Sequence, residues 1–369
     1  MEARVIAFYL PQYHPIPEND ARWGKGFTEW TNVTKARPLF RGHYQPHVPA
    51  DLGYYDLRLP EVRQAQADMA REYGIYGFCY YSYWFNGKRL LGRPFDEVLA
   101  SGRPDFPFCL CWANENWTRI WDGGDSEVLM EQTYSEQDDV EHIRWLARAF
   151  ADPRYIRVEK KPLFIIYRAH KLPGVRKTTA IWREECRRLG IGEIFLCRID
   201  TGFDSLPPSE VGLDAAVEFQ PDWFDLGAPL GCRRLRHFRW NDVRFLLRRK
   251  FLRDTTDVQN YSHLVSSMSR RALPRYPRFP CITPSWDNSP RRRGGATVFI
   301  ESSPTLFQRW ATNTLVKLKN STSMPPILFI NAWNEWAEGN HLEPDQRYGR
   351  QYLEAIHKAL EHCNASPAQ

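Results

Sequence analysis

The sequence predicts an α/β protein built as a (β/α)8 TIM barrel with long loops after its strands. Short, nearly continuous apolar runs bounded by turn residues recur eight times along the 369 residues. Runs of this kind are typical of strands buried on both faces of a parallel sheet. Helical patterns separate several of the runs, and strands that alternate with helices favour a closed barrel.

The predicted elements follow in order along the chain. The eight strands are expected at residues 5–10, 75–81, 108–112, 163–167, 194–199, 215–219, 281–284 and 327–331. Helical patterns occupy residues 59–73, 135–150, 178–189, 303–318 and 346–363. A barrel of this type needs about 250 residues, so the remaining residues are available for loops.

We expect a single catalytic domain over residues 1–363, followed by a short tail at 364–369. The loop after the first strand, residues 11–58, is long and rich in Pro, Trp, Tyr and His. A basic insertion is expected at about residues 221–279, after the sixth strand. Long loops of this kind usually form lids or binding surfaces.

Composition argues against a membrane-spanning or disulfide-bonded protein. No uninterrupted apolar run reaches 18 residues, and the first strand starts too early to leave room for a secretory signal peptide. Most of the eight cysteines fall in predicted strands, where a thiol behaves as a small apolar group. These are Cys79, Cys109, Cys111, Cys197 and Cys281. We expect reduced cysteines and a cytoplasmic protein, and the spacing indicates no metal ligands.

The net charge of +6 is concentrated between residues 230 and 295, where the run Arg291-Arg292-Arg293 lies. A solvated face is the commoner interpretation of such a run. The alternative is contact with an anionic membrane surface, a lipid-linked glycan, a polyphosphate or an acidic polysaccharide. No nucleic-acid-binding motif accompanies the charge, so we expect no nucleic-acid partner.

Two carboxylates, Glu335 and Glu338, follow the last predicted strand, with Trp333 and Trp336 beside them. Cleavage of a glycosidic bond needs one carboxyl group that exchanges a proton and another that acts on the sugar. Apolar ring faces nearby can stack on the sugar. The alternative is the solvated start of an amphipathic helix.

Other candidate residues gather where the strands end, because the carboxyl ends of the strands form the active face of such a barrel. Amide, carboxylate and aromatic groups suit an oligosaccharide or polysaccharide partner. The candidates for substrate binding are Tyr9, Gln12, His14, Tyr81, Tyr83, Trp84, Trp112, Asn114, Glu115, Asn116, Trp117, Trp286, Asp287, Asn334 and Trp336. For Glu115, pairing with Arg119 is a structural alternative.

Signatures of other enzyme classes are missing from the sequence. There is no G-x-S-x-G nucleophile motif, no G-x-x-x-x-G-K-[ST] phosphate loop and no G-x-G-x-x-G dinucleotide motif. The residues therefore favour glycan chemistry without a nucleotide cofactor.

Four segments resemble the WbsX-like bacterial proteins, which carry a glycoside hydrolase family 99-like domain. They are residues 9–15 (YLPQYHP), 23–33 (WGKGFTEWTNV), 112–117 (WANENW) and 334–339 (NEWAEG). The resemblance runs from about residue 3 to residue 360. Proteins of this group are often described as polysaccharide-biosynthesis glycosyltransferases. Their better-understood relatives are endo-α-mannosidases, which are retaining (β/α)8 barrels that need no cofactor.

The resemblance also implies roles for the two glutamates. Glu335 and Glu338 match the pair in a Glu-Trp-His-Glu-Gly stretch of the endo-α-mannosidases, and Ala337 replaces the histidine. Glu335 would assist removal of the proton from the sugar 2-hydroxyl, giving a 1,2-anhydro sugar. Glu338 would protonate the leaving oxygen, aided by a raised pKa. A glycosyl-enzyme on a carboxylate is the competing retaining route.

Three functions remain open from the sequence. The first is a retaining glycosidase that acts on an α-linked glycan in cell-surface polysaccharide metabolism. The second is a glycosyltransferase with a nucleotide- or lipid-linked donor, favoured by the basic insertion because a diphosphate leaving group needs positive charge. The third is a glycan-binding barrel without turnover.

Overall fold

The computed structural model describes residues 3–119, 124–200, 202, 206–223, 256–272, 274–292, 294–321 and 324–365. Eight parallel strands close into a barrel in this part of the chain. They are β1 Arg4–Tyr9, β2 Ile75–Phe85, β3 Phe108–Trp112, β4 Lys161–Ile166, β5 Phe195–Asp200, β6 Ala215–Glu218, β7 (Arg278–Phe279 and Cys281–Ile282) and β8 Ile327–Ile330. The predicted fold class is confirmed.

The barrel closes through β7, which is split at Pro280. Phe279 pairs with Val217 of β6 on one side of the break, and Ile282 pairs with Ile330 of β8 on the other. Proline has no N–H to donate to a ladder, so the strand changes partner at this residue. On the other side of β8, Ile330 pairs with Ala7 of β1, which completes the circle.

Helices surround the barrel and begin at residues that favour helix starts. They are α1 Pro17–Trp23, α2 Trp30–Lys35, α3 Pro60–Glu72, α4 Arg93–Ser101, α5 Glu136–Phe150, α6 Val175–Arg188, α7 Tyr261–Arg270, α8 Pro304–Lys319 and α9 Gln351–Ala365. Ser135 caps α5 by accepting a hydrogen bond from the backbone N–H of Asp138. Ser303 caps α8 in the same way, with Pro304 at its first position. None of the described helices is long and apolar enough to cross a membrane.

Several predicted boundaries need correction. The helix α9 begins at Gln351 rather than 346, because Asp345 accepts hydrogen bonds from the backbone N–H groups of Arg347 and Tyr348 and holds a turn there. It ends at Ala365, so residues 364–365 are helical rather than part of a tail. The strand β2 continues to Phe85, where it forms a hairpin with Lys88–Leu90.

The two long loops differ in how far they are described. The first loop carries the short helices α1 and α2, and its residues fold over the carboxyl end of the barrel. Of the predicted basic insertion at 221–279, residues 224–255 and 273 lie outside the described residues. Within the described remainder, Asp257–Asn260 pairs with Thr297–Ile300 and leads into α7.

The core of the barrel is apolar. The cysteines predicted in the strands (Cys79, Cys109, Cys111, Cys197 and Cys281) are all buried and unpaired with one another, as expected for small apolar side chains. Burial also raises the pKa of the Cys79, Cys197 and Cys281 thiols, because the thiolate form is disfavoured away from water. These cysteines therefore fill the sheet and are unreactive.

Candidate active site

The two predicted catalytic glutamates lie in a tight hairpin immediately after β8. The backbone of Asn334–Glu335 pairs antiparallel with Asn340–His341, and Trp336–Glu338 form a single 3-10 turn between them. Gly339 closes the hairpin with a φ of 56°, and a side chain there would meet the Cβ of Asp287 at 3.0 Å. The hairpin therefore needs glycine at this position, and it fixes both glutamates at the carboxyl edge of the barrel.

One guanidinium joins both glutamates. The Nη2 atom of Arg291 lies 2.7 Å from Oε1 of Glu335, and its Nη1 atom lies 2.8 Å from Oε1 of Glu338. A third carboxylate completes the cluster, since Nε and Nη2 of Arg291 donate to Oε2 of Glu29 at 3.0 and 2.9 Å. Charge-assisted bonds of this kind are short and directional, so Arg291 sets the relative positions of the three carboxylates.

Burial raises the pKa of both catalytic candidates above that of an ordinary glutamate. Arg291 opposes this effect for each of them, because a nearby positive charge favours the ionised form. The charges of Glu29 and of the neighbouring glutamate add to the upward shift at Glu335. One cation among three carboxylates leaves an excess of negative charge, and a proton held on one carboxyl group relieves it. The predicted rise in the pKa of Glu338 is thus present.

The two glutamates differ in access to solvent. The side chain of Glu338 is 21% exposed, whereas that of Glu335 is 8% exposed. Glu335 accordingly lies deeper, beneath the guanidinium, and Glu338 lies nearer the opening. A group that must exchange protons with a leaving group and then with a second molecule needs the more open position.

Asn334 of the hairpin and Tyr13 of the first loop hold the hairpin in place. Asn334 accepts a hydrogen bond from the N–H of Leu10 at 2.8 Å and donates to the carbonyl oxygen of the same residue at 3.0 Å. Tyr13 donates its hydroxyl proton to the carbonyl of Asn334 at 2.7 Å and accepts from the N–H of Trp336 at 3.0 Å. These bonds join the hairpin to the end of β1, so the position of Glu335 is set by the barrel itself.

Trp336 lies behind the glutamates rather than in the opening. Its Nε1 donates to Oε2 of Glu343 at 2.6 Å, and its ring stacks on His341 with centroids 3.7 Å apart. Glu343 also accepts from Tyr55 and Gln66 and is buried. The prediction that Trp336 offers a stacking face to a sugar is therefore wrong: 1% of the residue is exposed.

Some of the predicted binding residues do lie close to the glutamates. Gln12 donates to the hydroxyl of Tyr83 at 2.5 Å, and the pKa of Tyr83 is raised by burial and further by the charge of Glu335. Asp287 donates its backbone N–H to the carbonyl oxygen of Glu338 at 2.7 Å. Its carboxylate oxygen Oδ2, however, is hydrogen-bonded to Nε2 of His43 and to Nε2 of Gln45 in the first loop, at 2.6 Å in each case.

Tyr81 lies one ring further away. Its ring stacks on Phe8 and meets Tyr167 edge-on. Burial raises the pKa of Tyr167, and the charge of Glu338 adds to this rise. The charge of the glutamates thus reaches Tyr83 and Tyr167, and Tyr81 contacts the second of these.

Three predicted binding residues belong to the layer between barrel and helices. The hydroxyl of Tyr9 donates to Gln66, and the indole N–H of Trp84 donates to Asp138. Trp112 donates to the carbonyl oxygen of Trp84. All three are buried, so their assignment to a substrate cleft is corrected to a structural role.

The segment after β3 is also mainly structural. Asn114 bonds both the N–H and the carbonyl oxygen of Arg168, which joins the ends of β3 and β4. Glu115 pairs with Arg168 and Lys171 at 3.0 Å each, while the side chain of its predicted partner Arg119 is outside the described residues. The side-chain oxygen of Asn116 accepts a hydrogen bond from the backbone N–H of Gln132.

The remaining predicted residues are buried. Trp117 packs against Tyr83 and Phe85. His14 is buried, and burial lowers its pKa to about 4. Trp286 is covered edge-on by Trp223, which is itself exposed. Trp223, a residue of the segment after β6, is therefore the more accessible ring of this pair.

Sequence reasoning missed Glu29 and Arg291 as members of the site. Glu29 lies in the segment 23–33 that carried the family resemblance, which was the available signal. Arg291 belongs to an arginine run, which more often forms a solvated face. In the structure Arg291 is buried among carboxylates, so that interpretation is wrong for this residue.

The described fold is a (β/α)8 barrel with two glutamates joined by one guanidinium at its carboxyl edge. A model of the family described as Glycosyltransferase WbsX matches residues 5–356, and the chain belongs to this family. It is 45% identical over 361 residues to the uncharacterized protein WxcX of Xanthomonas campestris pv. campestris, in two strains. That alignment covers 98% of this chain and 50% of WxcX, so the chain spans about half the length of these relatives.

Solved structures show the same fold. A glycoside hydrolase-like protein aligns with a TM-score of 0.60 and 15% identity, covering 97% of this chain and 94% of the other. The GH99 endo-alpha-mannosidase from Bacteroides thetaiotaomicron aligns with a TM-score of 0.56 and 14% identity, covering 98% and 97%. The resemblance seen in the sequence motifs is confirmed by family and fold alike.

Proposed function

We propose that this protein is a retaining glycoside hydrolase that acts on an α-linked, α-mannoside-like glycan in cell-surface polysaccharide metabolism. The observation that carries the proposal is the pair Glu335 and Glu338, held on different nitrogens of one buried guanidinium at the carboxyl edge of the barrel. A rigid carboxylate pair at this edge suits general acid and base chemistry at a glycosidic bond.

Glu338 is assigned the acid and base role. Burial raises its pKa, so it retains a proton to give to the leaving oxygen. Its partly exposed position lets it then remove a proton from the incoming water. Both steps require the same carboxyl group to face the bond that breaks and the molecule that replaces it.

Glu335 is assigned the role of base toward the sugar 2-hydroxyl. Its Oε1 is held at 2.7 Å from Arg291, whose positive charge opposes the rise in pKa that burial causes and so favours the carboxylate form that a base needs. Removal of the hydroxyl proton would let the 2-oxygen attack the anomeric carbon and expel the leaving group, giving a 1,2-anhydro sugar. Direct attack by Glu335 on the anomeric carbon is the competing route, and both routes retain configuration.

The sugar would be recognised by the groups that surround the carboxylates. Tyr83 and Gln12 lie beside Glu335, and the exposed ring of Trp223 offers a face for stacking. Position 337, which matches the histidine of the endo-α-mannosidase motif, is a buried alanine here. Recognition of the sugar therefore rests on other residues, and the identity of the α-linked sugar is the first property to test.

A glycosyltransferase is the second candidate, and membership of the glycosyltransferase WbsX family favours it. Such an enzyme would use an activated donor, and a lipid-linked glycan at an anionic membrane would be one source. Arg291 is unsuited to a diphosphate because its guanidinium is already bonded to Glu29, Glu335 and Glu338. A donor phosphate would instead need cations of the basic insertion.

The test is product analysis in ¹⁸O-labelled water. Purified protein would be offered α-mannosides, other α-linked bacterial glycans and a set of nucleotide-sugar donors. Label at a new reducing end, lost in Glu338→Gln and kept in the surface control Glu354→Gln, supports the hydrolase. Transfer from an activated donor without label supports the transferase.

A third outcome would overturn both enzymatic assignments. Sugar binding without any turnover, unchanged in Glu335→Gln and Glu338→Gln, would indicate a glycan-binding barrel. Isothermal titration with the same glycans separates this outcome from failure to supply the right substrate, because a substrate that is absent from the set would also show no binding.

A further inference from the structure

A second polar cluster lies outside the glutamate centre. One ring nitrogen each of His47 and His341 and one carboxylate oxygen of Asp345 lie within 4.8 Å of one another. All three residues are buried. They come from the first loop, the hairpin after β8 and the turn before α9, so the fold alone brings them together.

The cluster borders a cavity of about 760 Å³, which the three residues help to line together with Tyr44 and Arg347. Asp287 and Gly339 also line this cavity, whereas Glu335 and Glu338 do not. It is therefore a separate space behind the hairpin that carries the glutamates, and it is large enough to hold a small ligand.

The protonation of the two histidines follows from their contacts. Nδ1 of His341 lies 2.9 Å from the carbonyl oxygen of Glu343, which can only accept, so this nitrogen carries the proton. Nε2 of His341 is then a lone pair, and it lies 2.8 Å from Nδ1 of His47.

From this arrangement we infer that His47, His341 and Asp345 form a binding site for a divalent transition-metal ion of the Zn²⁺ class. Neutral imidazole nitrogens and a carboxylate are ligands that such ions prefer. The carbonyl of Glu343 fixes the tautomer of His341 as the outer partner of a metal-bound histidine does. A fourth position would remain for water or an anionic ligand from the cavity that the three residues line.

The change needed to admit the ion is small. Because Nδ1 of His341 carries its proton, the hydrogen bond between the two rings requires a proton on Nδ1 of His47. Moving that proton to Nε2 of the same ring frees a second lone pair. Tetrahedral coordination at 2.0–2.1 Å needs a nitrogen separation of about 3.3 Å, so the rings must part by roughly 0.5 Å.

Asp345 is placed to complete the site without losing its present role. Its Oδ1 accepts the N–H groups of Arg347 and Tyr348 at 3.0 and 2.7 Å, while Oδ2 accepts only a long bond of 3.2 Å from the Tyr44 hydroxyl. Oδ2 can therefore coordinate a cation while Oδ1 keeps its hydrogen bonds to the N–H groups of the turn. The ion would tie the first loop to the hairpin of the glutamates.

The experiment uses the full chain without a histidine tag. Protein dialysed against EDTA is incubated with ZnCl₂, separated from free metal by gel filtration and assayed by inductively coupled plasma mass spectrometry. We expect about one zinc per chain, a thermal midpoint raised by several degrees at saturating zinc, and visible d–d absorption with Co²⁺. His47→Asn, His341→Asn and Asp345→Asn should each weaken zinc binding at least tenfold.

The exposed His357 provides the matched control, since His357→Asn should bind zinc as the parent does. Asp345→Asn keeps an oxygen for the backbone bonds of the turn, so it tests the site even if the histidine variants fail to fold. Wild-type protein that retains no zinc would overturn the inference. Zinc retained undiminished by folded Asp345→Asn, with an unchanged Co²⁺ spectrum, would do so equally.

Discussion

Arg291 donates a 2.7 Å hydrogen bond from Nη2 to Glu335, although the two residues are 44 positions apart in the chain. The bond joins the loop after β7 to the hairpin after β8 across the carboxyl edge of the barrel. It places a permanent positive charge between the two carboxylates that we propose to be catalytic. The site is thus defined by a guanidinium as much as by its glutamates.

The two glutamates should be separable by substitution. Glu338→Gln and Glu335→Gln should each reduce kcat/KM by about 10²–10⁴-fold, because each removes a proton-transfer step. If Glu338 is the acid, substrates with a good leaving group should lose much less activity in Glu338→Gln, whereas Glu335→Gln should lose activity with all substrates. Equal losses for both kinds of substrate would contradict the assigned roles.

The pH profile of kcat/KM should be bell-shaped with both limbs above pH 4.5. Burial raises the pKa of both glutamates from 4.5. The active form holds one proton on the pair, so activity rises with pH through the lower of the two pKa values, where the first glutamate ionises. Activity falls above the higher of the two pKa values, where the second proton is lost.

Substitution of Arg291 tests whether this cation controls the pKa values that set the two limbs of the pH profile. Arg291 lowers the pKa of both glutamates, so Arg291→Lys, which loses the forked contact, should move both limbs to higher pH. Arg291→Met should destabilise the fold by roughly 3–5 kcal/mol, since it leaves buried carboxylates without their cation. Urea unfolding measures this loss, and the exposed Arg187→Met should change stability little. A profile unmoved in Arg291→Lys would show that the cation does not control the glutamates.

How far the sequence could predict this site depends on how each residue is positioned. Glu335 and Glu338 were predictable because they follow a buried strand directly and lie three residues apart. Glu29 and Arg291 are 262 residues apart, and only the closed barrel brings them together. No local pattern distinguishes the buried Arg291 from its neighbour Arg292 in the same run.

Several aromatic residues, by contrast, were predicted to line the site and lie elsewhere. Trp84, Trp112 and Trp336 lie near strand ends, as a sugar-stacking residue would, yet their indole N–H groups donate to partners inside the protein. A strand end has an inner side and a side toward the helices, and proximity in sequence does not reveal which side a ring takes. The barrel fold itself was predictable, since it depends on the repeated alternation of apolar runs and helices.

Glu343 should give the protein a measurable dependence of stability on pH. Burial raises its pKa to about 7 from 4.5. Between these values the unfolded chain has released the proton and the folded protein still holds it. The free energy of unfolding should therefore fall as pH rises from about 5 to 7, by roughly 3 kcal/mol from this group, and then level off.

The difference between wild type and Glu343→Gln isolates that contribution from those of the other buried glutamates. Urea unfolding at a series of pH values should show a flatter profile for Glu343→Gln, while the exposed Glu354→Gln should follow the wild type. Parallel curves for wild type and Glu343→Gln would mean that Glu343 holds no extra proton in the folded state.

Asn334 should be important to both stability and activity. Asn334→Ala removes the partner of the N–H and of the carbonyl oxygen of Leu10, both buried. An unpaired buried polar group costs about 1–3 kcal/mol, so a loss of roughly 2–4 kcal/mol is expected for the two together. Because Glu335 is the next residue, activity at low temperature, where the variant is folded, should also fall. Asn116→Ala, which removes one exposed side chain and its bond to the N–H of Gln132, is the matched control and should change both properties less. If Asn334→Ala lowered stability but left kcat unchanged, the hairpin would hold Glu335 in place without this connection to β1.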